Sequence, residues 1–263
     1  MERKQPESIR AQRRPRGYVS AIATNLIHLR HPWVMAWWAA SYLGFAYFSM
    51  GSYIKGFILI FLEAFINVKS RVNLGIMYSF TGRFAEAKEI VDINWLLFYV
   101  PLYIFSIWGA QRLAVDLNKL AILAEREDSA IIPMHITSTE INFFDKRNPW
   151  LAVVLSFLMP GIGHLYTHRI PGTFYILTWW ILIAYMSKLL PAVHYTMLGA
   201  FDQATAVVNA QWLIFLPSVM TFAMYDSYVN AVEYNRLFDQ EQSRFLIDNY
   251  QEPHFKMPLI GEE

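Results

Sequence analysis

From residue 31 onward, long apolar runs alternate with short polar stretches. Three runs, residues 32–50, 54–68 and 93–113, are followed after a mixed segment by three more, residues 149–167, 172–187 and 212–230. A helix needs about 20 residues to cross a bilayer core, within a range of about 17 to 25. The third run of each set meets that length and the second is short. The pattern predicts an all-α, polytopic helical membrane protein with four to six spans.

The two sets are one segment written twice. Residues 31–120 align without gaps on residues 148–237, 117 positions later, with 19 of 90 positions identical. The matches include Pro32-Trp33 on Pro149-Trp150, Gly44 on Gly161, Tyr78 on Tyr195, Gly82 on Gly199, Trp95-Leu96 on Trp212-Leu213, and Asn118 on Asn235. Trp, Gly, Pro and Asn seldom align through apolar bias alone. A period this long indicates domain duplication rather than a solenoid. The chain therefore divides into a basic tail (1–30), a first membrane repeat (31–120), a polar linker (121–147), a second repeat (148–237) and a C-terminal tail (238–263).

Each repeat opens on a start signal. Asn148 suits an N-cap, Pro149 suits the first helical position, and Trp150 suits a membrane interface; His31-Pro32-Trp33 has the same form. Within the first run of the second repeat, Pro160 deprives the Ser156 carbonyl of its helical partner, and Gly161 and Gly163 weaken the next turn, so a straight helix is not expected. Broken backbone at membrane depth has to be buried in protein or line a wet cavity. The first repeat keeps Gly44 but has Leu43 in place of the proline, which predicts a milder break. Residues 83–92 and 200–209 carry apolar positions at helical spacing and read as short amphipathic surface helices. The 121–147 linker is long enough for a small extramembrane element, and residues 238–250 read as a helical continuation.

Composition agrees: 55% of residues are apolar and only 16% charged, against about 25% charged in ordinary globular chains. The net charge of +1 and the clustering of basic residues at Arg3, Lys4, Arg10, Arg13, Arg14, Arg16 and Arg30 argue against nucleic acid as a partner. With the first apolar run beginning only at Pro32, this tail reads as an uncleaved signal anchor held in the cytoplasm, or as a basic segment gripping anionic headgroups. The chain has no cysteine, which removes disulfides and thiolate metal sites. If all six runs span, 15 of the 22 basic residues lie inside and the repeats are inverted, as in many secondary transporters. If the first run of each repeat is a re-entrant hairpin, the inside count rises to 17, the repeats are parallel, and Asn118 and Asn235 share one face. The second arrangement has the better charge bias.

The run Leu155-Ser156-Phe-Leu-Met-Pro160-Gly161-Ile-Gly163-His164-Leu-Tyr166, then Gly172, then Tyr225-Asp226-Ser-Tyr228-x-x-Ala231-x-x-Tyr-Asn235, resembles a TM2-like bacterial membrane module of the form "PGxGxxY…DAYxxAxxxN". The module is similar to N-terminal extensions of some Gram-positive sugar ABC permeases. In the first repeat the resemblance runs through Gly44, Lys55-Gly56, Trp108-Gly109-Ala110, Ala114 and Asn118, with Leu43 in place of the proline and Gly109 in place of the aspartate. It implies no reaction. It implies an association with transporters, although this chain has no Walker-type phosphate loop of its own.

Candidate chemistry is sparse. Glu63 lies within an apolar run, where a charge costs about 3 kcal/mol at the bilayer centre, so it is a proton or cation site or a structural hydrogen bond to the broken helix. Trp180 at the matching place favours the structural reading. His164 and His168 are four apart, but two histidines make no zinc site and no third ligand can be nominated. Asp226 near a helix C-terminus calls for a partner, Arg236, Arg169 or the broken helix. With Ser156, Pro160, Gly161, Gly163, Tyr166 and Asn235, these residues form the candidate functional and packing set; no catalytic group, metal or cofactor is assigned. The expectation is a non-enzymatic multi-pass protein of the cell membrane, N-terminus cytoplasmic, an assembly or accessory component that partners lipid and either its own copies or other membrane subunits. The alternative is a small-solute or ion transporter, with an intramembrane enzyme a distant third.

Overall fold

A computed structural model describes residues 16–129, 131–138 and 140–252. The basic residues Arg3, Lys4, Arg10, Arg13 and Arg14 and the last part of the C-terminal tail lie outside them. The chain is mostly helical. It begins with strands β1 (Gly17–Val19) and β2 (Thr24–Leu26), then helices α1 (Pro32–Ser41), α2 (Phe45–Ser49), α3 (Tyr53–Ser70), α4 (Val72–Phe80), α5 (Phe84–Ile90) and α6 (Ile93–Arg126). Strands β3 (Ile131–Ile132), β4 (Met134–Ile136) and β5 (Ile141–Phe143) follow. The second half comprises α7 (Pro149–Leu158), α8 (Ile162–Tyr166), α9 (Ile170–Met186), α10 (Leu189–Met197), α11 (Phe201–Val207), α12 (Ala210–Leu213) and α13 (Phe215–Tyr250). Helices α7 to α12 each begin 117 residues after α1 to α6 in turn.

Hydrogen bonds along α6 give the path of the first half. Asn118 holds residue 30, Tyr103 donates to the Ala40 carbonyl and Ser106 to the Leu43 carbonyl. Thus α1 runs antiparallel to α6 for less than half its length. There the backbone breaks, Tyr42 taking an extended conformation (φ −162°, ψ 123°). The chain then turns back, so that Tyr47 reaches Ser106 and Ser49 returns to the Arg30 guanidinium. Only α3 continues to the far end, where the Ser70 carbonyl accepts from Asp92 N–H at the start of α6.

The second half has the same break, with Met159 at φ −152°, ψ 108°, and the same far-end bond, Ser187 carbonyl to Asn209 N–H. The milder break expected in the first half is not found. Leu43 breaks as fully as Pro160 because Glu63 and Ser106 occupy its freed N–H and carbonyl. Gly161 sits at φ +105°, which only glycine adopts at low cost. Gly44 has negative φ and is needed for space, since a Cβ there would lie 2.2 Å from the Gly56 carbonyl oxygen.

Two further expectations change. Asn148 caps α7, accepting from Trp150 and Leu151 N–H, but the matching His31 makes no capping bond. Residues 16–30 are not simply a tail: β1 pairs antiparallel with β2 (Tyr18↔Asn25) and parallel with β3 of the linker (Gly17↔Ile131), while β4 and β5 form a hairpin. The linker is shortened because α6 runs on to Arg126. These strands, Asn118 and Asn235 all lie at one end of the molecule, linked by the packing of Val19 with Phe144, Tyr234 and Leu237.

The core sits between the halves. Phe45 of α2 stacks on Phe222 of α13 at 4.2 Å, and Tyr42, Leu43, Met35, Ile183 and Val219 are buried around them. Among the described residues α6 alone is a single helix long and apolar enough to cross a membrane, or up to three crossings exist if each bent pair (α9 with α10 at 62°, α11 with α12–α13 at 82°) is one span.

Candidate functional site

The break in each first run places polar groups inside the helical body, and the two halves solve the resulting problem differently. In the first half, Leu43 N–H, which the break strips of a helical acceptor, donates to Glu63 Oε2 at 2.6 Å; Tyr99 donates to Oε1 at 2.9 Å. Glu63 is 4% exposed. At the matching positions Pro160 has no N–H to satisfy and Trp180 replaces the carboxylate. The exchange is paired: the acid is present where the free N–H is present.

A second paired exchange lies one turn on. Tyr47 and Gly109 in the first half match His164 and Asp226 in the second. A Cβ on Gly109 would lie 2.4 Å from the Tyr47 hydroxyl. In the second half the shorter imidazole leaves room for a carboxylate, and His164 Nε2 donates to Asp226 Oδ2 at 2.9 Å. Arg169 Nη1 donates to the same oxygen at 2.7 Å and Nη2 to the Tyr53 hydroxyl of α3 at 3.2 Å. His164, Asp226 and Arg169 are 1%, 2% and 7% exposed. This ion cluster is carried by α8, by the turn before α9 and by α13, and it reaches across to the first half through Tyr53. Asp226 Oδ1 and His164 Nδ1 are buried with no hydrogen-bond partner among the described residues.

A third exchange concerns size. Ser156 donates to Ser227 at 3.0 Å, and a Cβ on Gly163 would lie 2.1 Å from Ser156 Oγ and 2.3 Å from the Ala152 carbonyl oxygen. In the first half the three matching residues are Ala39, Ala46 and Ala110. Two hydroxyls packed across α7 and α13 thus go with a glycine, and two methyls with an alanine.

The remaining expected residues are structural ties. Tyr166 accepts from Asn148 N–H at 2.9 Å beneath the Arg147 guanidinium, and Asn235 bonds the Arg147 main chain in both directions. Arg169 is the partner of Asp226, while Arg236 lies 3.8 Å from Glu233. His168 does not join His164: it sits at φ 53° with Nε2 donating to the Ala21 carbonyl. Among the described residues no three His, Cys, Asp or Glu side chains cluster as metal ligands.

Sequence reasoning missed a polar knot at the far end. Gln211 donates to Asn67 Oδ1 at 2.7 Å and accepts from Leu74 N–H, while Asn73 donates to the Gln211 carbonyl, tying α3 and α4 to α12. Asn67, an amide inside an apolar run four residues after Glu63, was the available signal.

No family model, curated protein or solved structure matches the chain.

Proposed function

We propose that this chain is a non-enzymatic integral membrane protein, a tandem duplication in which each half supplies two spans and one re-entrant hairpin, acting as an assembly or accessory component of a membrane complex. The observation that carries this reading is the set of paired exchanges. Glu63 bonds the N–H freed at Leu43, Ser156 bonds Ser227 across α7 and α13, and His164 and Arg169 both bond Asp226, so the intramembrane polar residues serve packing. In lipid every freed backbone group needs such a partner.

The outer surface supports the same reading. Ile93, Leu97, Phe98, Ile104, Phe105 and Trp108 along α6 are all exposed, and only 11% of its most apolar 18-residue stretch is buried. Lipid tails, a second copy or another subunit cover a face of this kind. The common end of Asn118, Asn235 and the strands fits parallel repeats with a cytoplasmic N-terminus, as the loop charges favour.

The test is mass determination after extraction in mild detergent: an oligomer or a stable co-purifying subunit is expected, and a lone monomer would sink the assembly reading. Topology is read separately by labelling a single cysteine at Ser79, expected outside the cytoplasm. A second reading, a solute or ion transporter, is favoured by the ion cluster at the junction of the halves; proteoliposome flux that depends on Asp226 would establish it.

A further inference from the structure

Next to the ion cluster lies a second arginine. Arg30 precedes α1, and its Nη1 donates to Ser49 Oγ at 2.7 Å; among the described residues it makes no ion pair. Asp226 Oδ2 is committed to Arg169 and His164. Asp226 and Glu233 both act on Arg30 through space, but the first is paired with Arg169 and the second lies 3.8 Å from Arg236, so three guanidinium groups face two carboxylates and positive charge stays in excess in a half-enclosed place.

Between the arginines is a partly open cavity of about 200 Å³, whose polar lining includes His28, Arg30, Ser49, Tyr53, Arg169 and Asn230. A water molecule takes ~30 Å³ in the liquid, so the space holds a multi-atom group. His28 is 6% exposed. Its Nδ1 donates to the Leu29 carbonyl at 3.1 Å, with Glu233 3.9 Å from the same nitrogen. Its Nε2 is buried with no hydrogen-bond partner among the described residues, an uncompensated desolvation unless a ligand supplies one.

The other half shows why the space exists. Arg147, the counterpart of Arg30, lies over the Tyr166 ring at 5.5 Å. Ser49 stands where Tyr166 stands, so the ring that covers one arginine is absent beside the other.

We propose that this cavity binds a phosphate-type oxyanion, gripped between Arg30 and Arg169 with Ser49, Tyr53 and His28 completing its hydrogen bonds. Guanidinium forks match phosphate oxygens in geometry and charge. A protonated phosphate oxygen donates to His28 Nε2, while the others accept from the arginines. Free phosphate and the phosphomonoester headgroup of a lipid such as phosphatidic acid both carry this group. An apolar cavity of about 190 Å³ lined by Phe48, Phe57, Phe61, Phe174 and Tyr175 lies beyond the Phe48–Tyr53 ring contact. That neighbour suits an acyl chain, and basic pockets between membrane helices take anionic headgroups.

The full chain in phosphatidylcholine nanodiscs is titrated with inorganic phosphate at neutral pH and constant ionic strength. In parallel, discs containing phosphatidic acid are followed by native mass spectrometry for retained lipid. Saturable binding of inorganic phosphate identifies a free anion; selective retention of phosphatidic acid identifies the headgroup. Either supports the site if Arg30→Gln weakens it by about tenfold or more, the loss of one strong contact, and Arg30→Lys keeps part of it. Neither probe binding to the wild type, or binding undiminished in Arg30→Gln, overturns the proposal. Arg30→Gln leaves the main-chain tie to Asn118 intact; should it still fail to fold, His28→Phe, which removes Nε2 and fills the space, is read the same way. A monomer that binds phosphate would end the assembly reading and leave this site standing.

Discussion

The side-chain amide of Asn118 closes a two-way bond on the main chain of Arg30, accepting from its N–H at 2.8 Å and donating to its carbonyl at 2.7 Å. Asn235 does the same to Arg147 at 2.8 and 2.7 Å. These ties fix the approach to α1 and α7, whose N-terminal backbone groups have no helical partners. Asn118→Ala and Asn235→Ala are each expected to cost about 1–3 kcal/mol, the penalty for stranding partly buried backbone groups. The ties lie on different helices, so the double variant should sum to within about 0.5 kcal/mol. Denaturant unfolding in detergent measures both; strong non-additivity would mean that the two halves do not hold their entries independently.

Leu43 and Glu63 are expected to behave as one unit. Glu63→Leu leaves the Leu43 N–H buried and unpaired. Leu43→Pro removes that N–H and leaves the carboxylate without its backbone donor. Tyr42 already has the extended conformation that a residue before proline prefers. The double variant Leu43→Pro/Glu63→Leu, which approaches the second half, should therefore be less destabilised than the two single losses added, by about 1–2 kcal/mol in a double-mutant cycle. A coupling of zero would remove the compensation argument.

Asp226→Asn should be among the most damaging single changes in the chain. It leaves the Arg169 guanidinium buried with a neutral partner, and breaking a buried pair in this way costs about 3–5 kcal/mol. Adding Arg169→Met should recover part of the loss, because the stranded charge goes with it. Thermal melting of the single and double variants decides the matter: a double variant weaker than Asp226→Asn alone would show that Arg169 has a separate structural task, for which Tyr53 is the available partner.

Much of the helical order was readable because it depends on local signals. The apolar runs, the Asn-Pro-Trp start and Pro160-Gly161 mark elements wherever they occur, and 117-residue spacing reappears in the helix starts. The depth of the first break was not readable. Leu43 is an ordinary residue, and what breaks the helix there is a carboxylate twenty positions later in sequence and adjacent only in the fold. His31 resembles a cap by analogy with Asn148, but imidazole is not among the short polar side chains that cap well. The oxyanion cavity was hidden for a similar reason. Arg30 reads as one of seven basic residues in the tail, and the Ser49-for-Tyr166 exchange acquires meaning only when the two arginines are compared in place.

The last expectation concerns pH. Burial first, and the neighbouring Arg30 second, hold the His28 imidazole down from 6.5 to about 3. The unfolded chain takes up that proton as pH falls through 6.5 and the folded chain resists it down to about 3, so between these values the unfolded state binds more protons. Stability from this group is complete above about pH 6.5 and is lost as pH falls toward about 3. Near pH 5 the loss is about 2 kcal/mol, from roughly 1.5 pH units at about 1.36 kcal/mol each. Glutamine does not titrate, so His28→Gln should flatten that part of the profile whatever its effect at neutral pH. Melting curves recorded from about pH 8 to about pH 4.5 on wild type and variant isolate the contribution as a difference. Parallel profiles would mean that His28 protonates as readily in the folded chain as in the unfolded one, and that its cavity is wetter and less positive than Arg30 and Arg169 make it.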